Sequence, residues 1–101
     1  MDKLSLFAEQ DLKNTISIVN FGRLEVGSKN EKILYLNNGS EQWPINNIKL
    51  DMELDQDLKI EHPVFLAPNE TKSVLIYWNP KIERRTPLEQ NIIFSGDLII
   101  G

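Results

Sequence analysis

The stretch "FGRLEVGSKNEKILYLNNG", residues 21–39, decides the fold class because it places a strand between two turns. Gly27-Ser28 and Asn38-Gly39 are the turn signals, since glycine and asparagine tolerate positive φ angles. Between them, Leu34 and Leu36 alternate with Ile33 and Tyr35, so each pair lies on its own face of a strand. The stretch contains no recognisable catalytic motif. We therefore expect the surface of the strand to be its functional part.

The same two-residue alternation continues along the chain, and helical periodicity is absent. It runs through "NIKLDMELD" (residues 47–55), "TKSVLIYW" (71–78) and "NIIFSGDLII" (91–100). Turn signals separate these runs at Ala67-Pro68-Asn69-Glu70, Asn79-Pro80 and Thr86-Pro87. Short strands with turns at intervals of roughly ten residues predict an all-β sandwich.

Length and composition limit the class of protein. The 101 residues fit one domain. Residues 1–13 are expected to form an N-terminal arm or first strand, and residues 14–101 a sandwich. No apolar run approaches the roughly 20 residues of a membrane span, and "MDKLSLFAEQDLK" does not resemble a signal peptide. The expected location is therefore the cytoplasm, or a virion assembled there, with no membrane partner.

Charge and cysteine content exclude further classes. The net charge of −4 argues against nucleic-acid binding, because phosphate contacts require an excess of Lys and Arg. The absence of cysteine excludes a disulfide scaffold and a thiolate metal site.

A longer segment, "VNFGRLEVGSKNEKILYLNNGSEQWPINNIKLDMEL" (residues 19–54), resembles the opening of an ASH-type domain. This immunoglobulin-like family occurs in abnormal-spindle protein and hydin and is related to the major sperm protein fold. The first half of the pattern is carried by Phe21-Gly22, Leu24, Val26-Gly27, Leu34, Leu36, Asn38 and 45–50. The second half is carried by Leu66, Pro68, Val74, Ile76, Trp78, Pro80, Phe94, Gly96, Leu98 and Ile100.

The resemblance covers residues 15–100 and implies an immunoglobulin-like antiparallel β-sandwich of about seven strands. It also implies a binding and scaffolding module without catalysis. Two departures stand out. Asn69 occupies a turn position where the family usually has glycine, which asparagine can replace in a left-handed conformation. The segment 81–91 is longer than usual and predicts an enlarged loop or an extra strand.

Candidate chemical sites are weak. The acidic series Asp51, Glu53, Asp55 and Asp57 could bind Ca²⁺, but an extended strand does not form a compact oxygen cage, so a solvated outer face is favoured. The only histidine, His62, has no nucleophile in a motif near it. The basic cluster Lys81, Arg84 and Arg85 could dock an acidic partner, although a solvated loop is favoured. We therefore expect no enzyme, cofactor or metal site.

The candidate interface consists of apolar residues on the outer face of two strands. If Leu34, Leu36, Val74, Ile76 and Trp78 fill the core, four side chains point outward together: Ile33, Tyr35, Leu75 and Tyr77. A contiguous exposed apolar patch usually marks an interface. The alternative, weighted equally, is that the leading segment with Leu4, Leu6 and Phe7 folds back over the patch.

The expected function is that of a structural protein making protein–protein contacts in a multi-subunit assembly, with homo-oligomers among the expected states. Its size and design favour a small virion component, such as an accessory or decoration protein of a phage capsid or tail. The alternative is a cytoplasmic adaptor that binds a peptide, or a cytoskeletal or ciliary partner, at a sheet edge.

Overall fold

A computed structural model describes residues 4–23, 25–27, 29–80 and 86–101 of the chain. These residues form strands and no helix, so the predicted all-β class is confirmed. Eight strands are present in this part of the chain: β1 (Leu4–Phe7), β2 (Ile18–Gly22), β3 (Asn30–Asn38), β4 (Ile45–Leu50), β5 (Leu58–Glu61), β6 (Thr71–Trp78), β7 (Leu88–Asn91) and β8 (Phe94–Leu98).

The strands pair antiparallel in one large sheet and two smaller ladders. The four-stranded sheet has the order β1-β3-β6-β5, with β3 and β6 at its centre. Their register runs from Asn30 opposite Trp78 to Asn37 opposite Thr71. The two-stranded ladders join β2 to β7 and β4 to β8.

The chain from 88 to 98 is one extended ribbon that changes partner midway. The N–H of Ile92 donates to the Ser17 carbonyl at 2.8 Å, whereas the Ile93 carbonyl accepts from the Asp51 N–H at 2.7 Å. Backbone polar groups of successive strand residues point to opposite edges. Consequently β2 lies along one edge of the first half of the ribbon, and β4 lies along the other edge of the second half.

The large sheet and both two-stranded ladders contribute to a single apolar core. The buried apolar residues are Leu6, Val19, Leu34, Leu36, Ile45, Ile48, Leu58, Leu66, Val74, Ile76, Ile92 and Phe94. The predicted inward faces of β3 and β6 are thus confirmed. Trp78 is only partly buried, and its ring meets that of Phe21 edge-on at 4.8 Å between centroids.

Strand β4 differs from the prediction, because it ends at Leu50 although the alternation continues to residue 55. Asn47 has a positive φ of 55°, and the β4–β8 register shifts between Asn46 and Lys49. This bulge lets both Ile45 and Ile48, three positions apart, face the core. The alternating residues that follow it still pack against the core from an irregular segment.

A strand also forms within each of two segments whose structure the sequence left open. Leu4–Phe7 is a strand of the large sheet, and Leu6 is only 7% exposed within the core. The long segment 81–91 contains the short strand β7. The basic cluster Lys81, Arg84 and Arg85 lies outside the described residues.

Candidate functional site: the outer face of the four-stranded sheet

The four candidate interface residues lie on one face of neighbouring strands. Ile33 stands directly opposite Leu75 in the β3–β6 register, while Tyr35 and Tyr77 are two residues further along their strands, in opposite directions. Because the intervening residues of both strands point into the core, these four side chains point outward. Directly opposed residues have Cβ atoms about 5 Å apart, and diagonal pairs are within reach of aromatic side chains. We call these four residues the outer-face stripe.

The outer-face stripe is accessible in the described structure. Ile33 is 47% exposed, and the other three side chains are half-buried. The stripe sits on the two longest strands, whose mutual ladder spans eight residue pairs. Its backbone is therefore held at a fixed spacing, as a binding surface requires.

Neighbouring strands extend the stripe on both sides. On β1, Phe7 stands opposite Tyr35 and adds a further aromatic ring to the outer face. On β5, Lys59 stands opposite Tyr77 and Glu61 opposite Leu75, which places one cation and one anion at the border. An open groove of about 1140 Å³ runs beside this border and is lined by both charged residues, Leu75 and Tyr77. The face is thus apolar around Ile33, Tyr35 and Leu75. It is charged on both sides of Tyr77, which stands between Glu31 of β3 and Lys59 of β5.

The described part of the leading segment, from Leu4 onward, does not lie over the stripe. Leu6 points into the core, and Leu4 packs against the core, because β1 adds to the edge of the sheet beside β3. After β1 the chain turns back, and the Ile16 N–H donates to the Leu6 carbonyl at 2.9 Å. The described part of the segment therefore enlarges the outer face and leaves it uncovered.

Within the acidic series, Asp55 and Asp57 make hydrogen bonds that shape a loop. The Asp55 carboxylate accepts the Asp57 N–H at 3.0 Å, and the Asp55 N–H donates to the side-chain oxygen of Gln90 at 3.0 Å. Among the described residues, no group of three or more His, Cys, Asp or Glu side chains could hold a metal ion.

His62 is a packing residue. Its Nδ1 atom lies 2.9 Å from the Pro63 carbonyl oxygen, and its ring meets the Phe94 ring edge-on at 5.1 Å. These contacts hold the imidazole against the border of the core, away from the outer-face stripe.

Sequence reasoning missed Phe7, Lys59 and Glu61 as members of the face. The alternation of β1 gives Phe7 the opposite direction to Leu6, but the pairing of β1 with β3 was needed to place it beside Tyr35. Lys59 and Glu61 lie on a four-residue strand, too short for alternation to define its faces.

The described residues include no helix able to cross a membrane. Comparisons with protein-family models, curated proteins and solved structures found no match to the chain.

Proposed function

We propose that this chain is a non-catalytic structural protein that binds another protein through the outer face of its four-stranded sheet. The observation that carries the proposal is the outer-face stripe itself: four outward side chains on the two central strands, of which Ile33 and Leu75 are directly opposed and Ile33 is 47% exposed. Apolar patches of this kind on soluble proteins commonly serve as interfaces.

The composition of the face supports a protein partner. Tyrosine is enriched at protein interfaces because its ring buries a large apolar area while its hydroxyl still finds a polar partner. An apolar centre with charges at the rim is the usual plan of such surfaces, and Lys59 and Glu61 supply that rim here. A partner with a flat apolar surface and opposite charges at its border fits this arrangement.

An immunoglobulin-like architecture of the ASH type belongs to the same proposal. The order β1-β3-β6-β5 supports it, because it matches strands A, B, E and D of the constant-type immunoglobulin sheet. The pair β4–β8 then corresponds to strands C and F. A strand beside β8, in the place of G, is not found among the described residues.

The proposed setting is a multi-subunit particle, such as a virion, in which a small domain repeats. The alternative is an adaptor that captures an extended peptide at a sheet edge. The second edge of β5 favours this alternative, since no strand pairs with it in the described part of the chain.

The test changes the stripe without changing the core. Tyr35→Glu and Tyr77→Glu place a charge in the middle of the face, and we expect each to abolish partner capture because an unpaired charge would be buried in the interface. Cross-linking mass spectrometry on the native source first identifies the chain that contacts this face. Binding to that chain is then measured with purified proteins.

Tyr35→Phe and Tyr77→Phe are the matched controls, since they keep the ring and remove only the hydroxyl. We expect them to bind within a few fold of the original chain. If the glutamate variants bind as well as the phenylalanine variants, the outer face is not the interface.

A further inference from the structure

The second half of the ribbon from 88 to 98 has one unpaired edge. β8 pairs with β4 only, and β2 pairs with the first half of the ribbon only, so no described strand lies along the other side of β8. The strand β1 comes near β8 at the adjacent border of the large sheet but forms no ladder with it.

The direction of the backbone groups shows which residues form this edge. The Ile93 carbonyl and the Ile99 N–H both bond to the β4 side, at 2.7 and 2.9 Å. The backbone N–H and C=O groups of the odd-numbered residues therefore point toward β4, and those of the even-numbered residues point away from it. Phe94, Gly96 and Leu98 thus present their N–H and C=O groups along the open edge. An exposed edge of this kind is a template for another strand.

We propose that this edge pairs with the same edge of a second copy of the chain, antiparallel, about a two-fold axis at Gly96. In this register Gly96 meets its own copy, and Phe94 meets Leu98 of the second copy. The three even-numbered residues then form pairs that each exchange both backbone hydrogen bonds. The sheets of two molecules would join edge to edge through β8.

The outward side chains are self-complementary in this register. Ile93 is 45% exposed and Ile99 is 46% exposed. The two-fold axis places Ile93 of one copy beside Ile99 of the other copy. Ser95 then stands opposite Asp97, where its hydroxyl can donate to the carboxylate. Like charges are not opposed anywhere along this ladder.

The two neighbouring pairing registers are less favourable than the register at Gly96. A shift that centres the axis on Asp97 places two carboxylates directly opposite each other, which is destabilising in a cross-strand pair. A shift that centres it on Ser95 requires residue 98 of the copy to sit beside Ile92, where Ser17 already holds the edge. It would also set Ile93 against Asp97. The register at Gly96 brings Ile100, which lies beyond the end of β8, beside Ile92, and it opposes no like charges. It is therefore favoured on both electrostatic and steric grounds.

Cysteine cross-linking tests the register directly, because the chain contains no cysteine. Ser95→Cys and Asp97→Cys are made as separate proteins, one carrying a mass tag, and are oxidised alone and mixed. Residues 95 and 97 of the two copies form a pair without backbone bonds, with Cα atoms about 4.5 Å apart, which a disulfide can span. Each cysteine lies about 7–8 Å from its own copy, beyond easy bridging.

We expect the mixture to give a 95–97 disulfide at a yield about tenfold above either variant alone. Circular dichroism verifies that both variants are folded. Equal yields in all three samples, or no cross-link in the mixture, would overturn the proposal. A dominant cross-link in either variant alone would overturn the register at Gly96.

Amide exchange of the unmodified chain gives an independent readout. As protein concentration rises, exchange at Phe94, Gly96 and Leu98 is expected to slow, while Ser95 and Ile99 stay protected throughout by β4. Exchange at the even-numbered amides that does not change with concentration contradicts pairing. Both readouts are independent of the outer-face stripe, so Tyr35→Glu should cross-link normally, and failure here leaves the proposed function standing.

Discussion

At the scale of single residues, one amide joins three segments of the chain. Asn38 is fully buried, and its Nδ2 donates to the carbonyls of Trp43 at 2.9 Å and Ala67 at 3.2 Å. Its Oδ1 accepts the Ser40 N–H at 2.9 Å. Sequence analysis assigned Asn38 to a turn signal and to the pattern of the family resemblance, and its alternation with Leu34 and Leu36 points it inward. A polar residue in an inward position is a signal for such a buried connector.

Asn38→Ala is expected to lower the free energy of unfolding by about 2–4 kcal/mol, because buried backbone groups would lose their partners. Chemical denaturation measures the change. Asn46→Ala is the control, since Asn46 is exposed on β4, and its cost is expected to stay below about 0.5 kcal/mol. Equal losses in the two variants would refute the connecting role of Asn38.

Gly96 is a second residue whose identity is fixed by its neighbours. A Cβ atom at this position would lie 2.6 Å from Cγ2 of Ile45 and 3.1 Å from Cγ1 of Ile48. Gly96→Ala is therefore expected to cost about 1–3 kcal/mol of stability through overpacking. In a double-mutant cycle with Ile45→Ala, the losses should be less than additive, because that change removes the obstructing methyl group. Ser95→Ala, on the outward side, serves as the control. Full additivity would contradict the proposed clash.

At the scale of elements, β1 shows how one strand serves two surfaces. Leu6 stands opposite Leu36 and points into the core, while Phe7 stands opposite Tyr35 and points outward. Within residues 1–13, which were expected to form an arm or a first strand, Leu4–Phe7 is a strand of the large sheet. The turn 67–70 behaved as its sequence predicted, since Asn69 adopts the left-handed conformation with φ of 60°.

Leu6→Ala and Phe7→Ala separate the two roles of β1. Leu6→Ala is expected to lower the unfolding free energy by about 2–4 kcal/mol, as for other buried leucines. Phe7→Ala is expected to cost less than half as much, since Phe7 lies on the outer face, and instead to weaken partner binding. Thermal or chemical unfolding together with the binding assay measures both. A larger stability loss for Phe7→Ala would mean that the strand is inverted.

At the scale of the whole molecule, the fold is elongated and carries two separate surfaces. Its Cα radius of gyration is 14.7 Å, against roughly 13 Å for a compact domain of this length, and its extents are 50 × 24 × 19 Å. One surface is the broad outer face, and the other is the narrow edge of β8. Because the two surfaces are separate, the proposed partner and the proposed second copy would not compete for the same residues.

Small-angle X-ray scattering should detect the second copy. In dilute solution we expect a radius of gyration near that of the single chain, and at high concentration an increase with a maximum dimension beyond 50 Å. Ile93→Lys with Ile99→Lys should suppress the increase, because the pairing would bring like charges together. Lys49→Glu, on the outward side of β4, is the control. A concentration-dependent increase that persists in the double lysine variant would place self-association on another surface.

The sequence predicted side-chain direction better than it predicted strand neighbours. Alternation identified the inward faces of β3 and β6, because side chains alternate above and below a sheet. It could not identify the change of partner at Ile92–Ile93, since backbone hydrogen bonds run perpendicular to the side chains. The bulge at Asn47 was also missed, although Ile45 and Ile48 are three positions apart and a regular strand would point them to opposite faces.

That change of partner has a consequence for partial unfolding. The β2–β7 and β4–β8 ladders share no residue pair, so loss of the β2–β7 hydrogen bonds would leave the β4–β8 pairs intact. Such a local opening would expose the backbone groups of β7 that pair with β2. These groups lie on the same side of the ribbon as the free edge of β8. Displacement of β2 would therefore lengthen the open strand edge, and an added strand could pair along both halves of the ribbon.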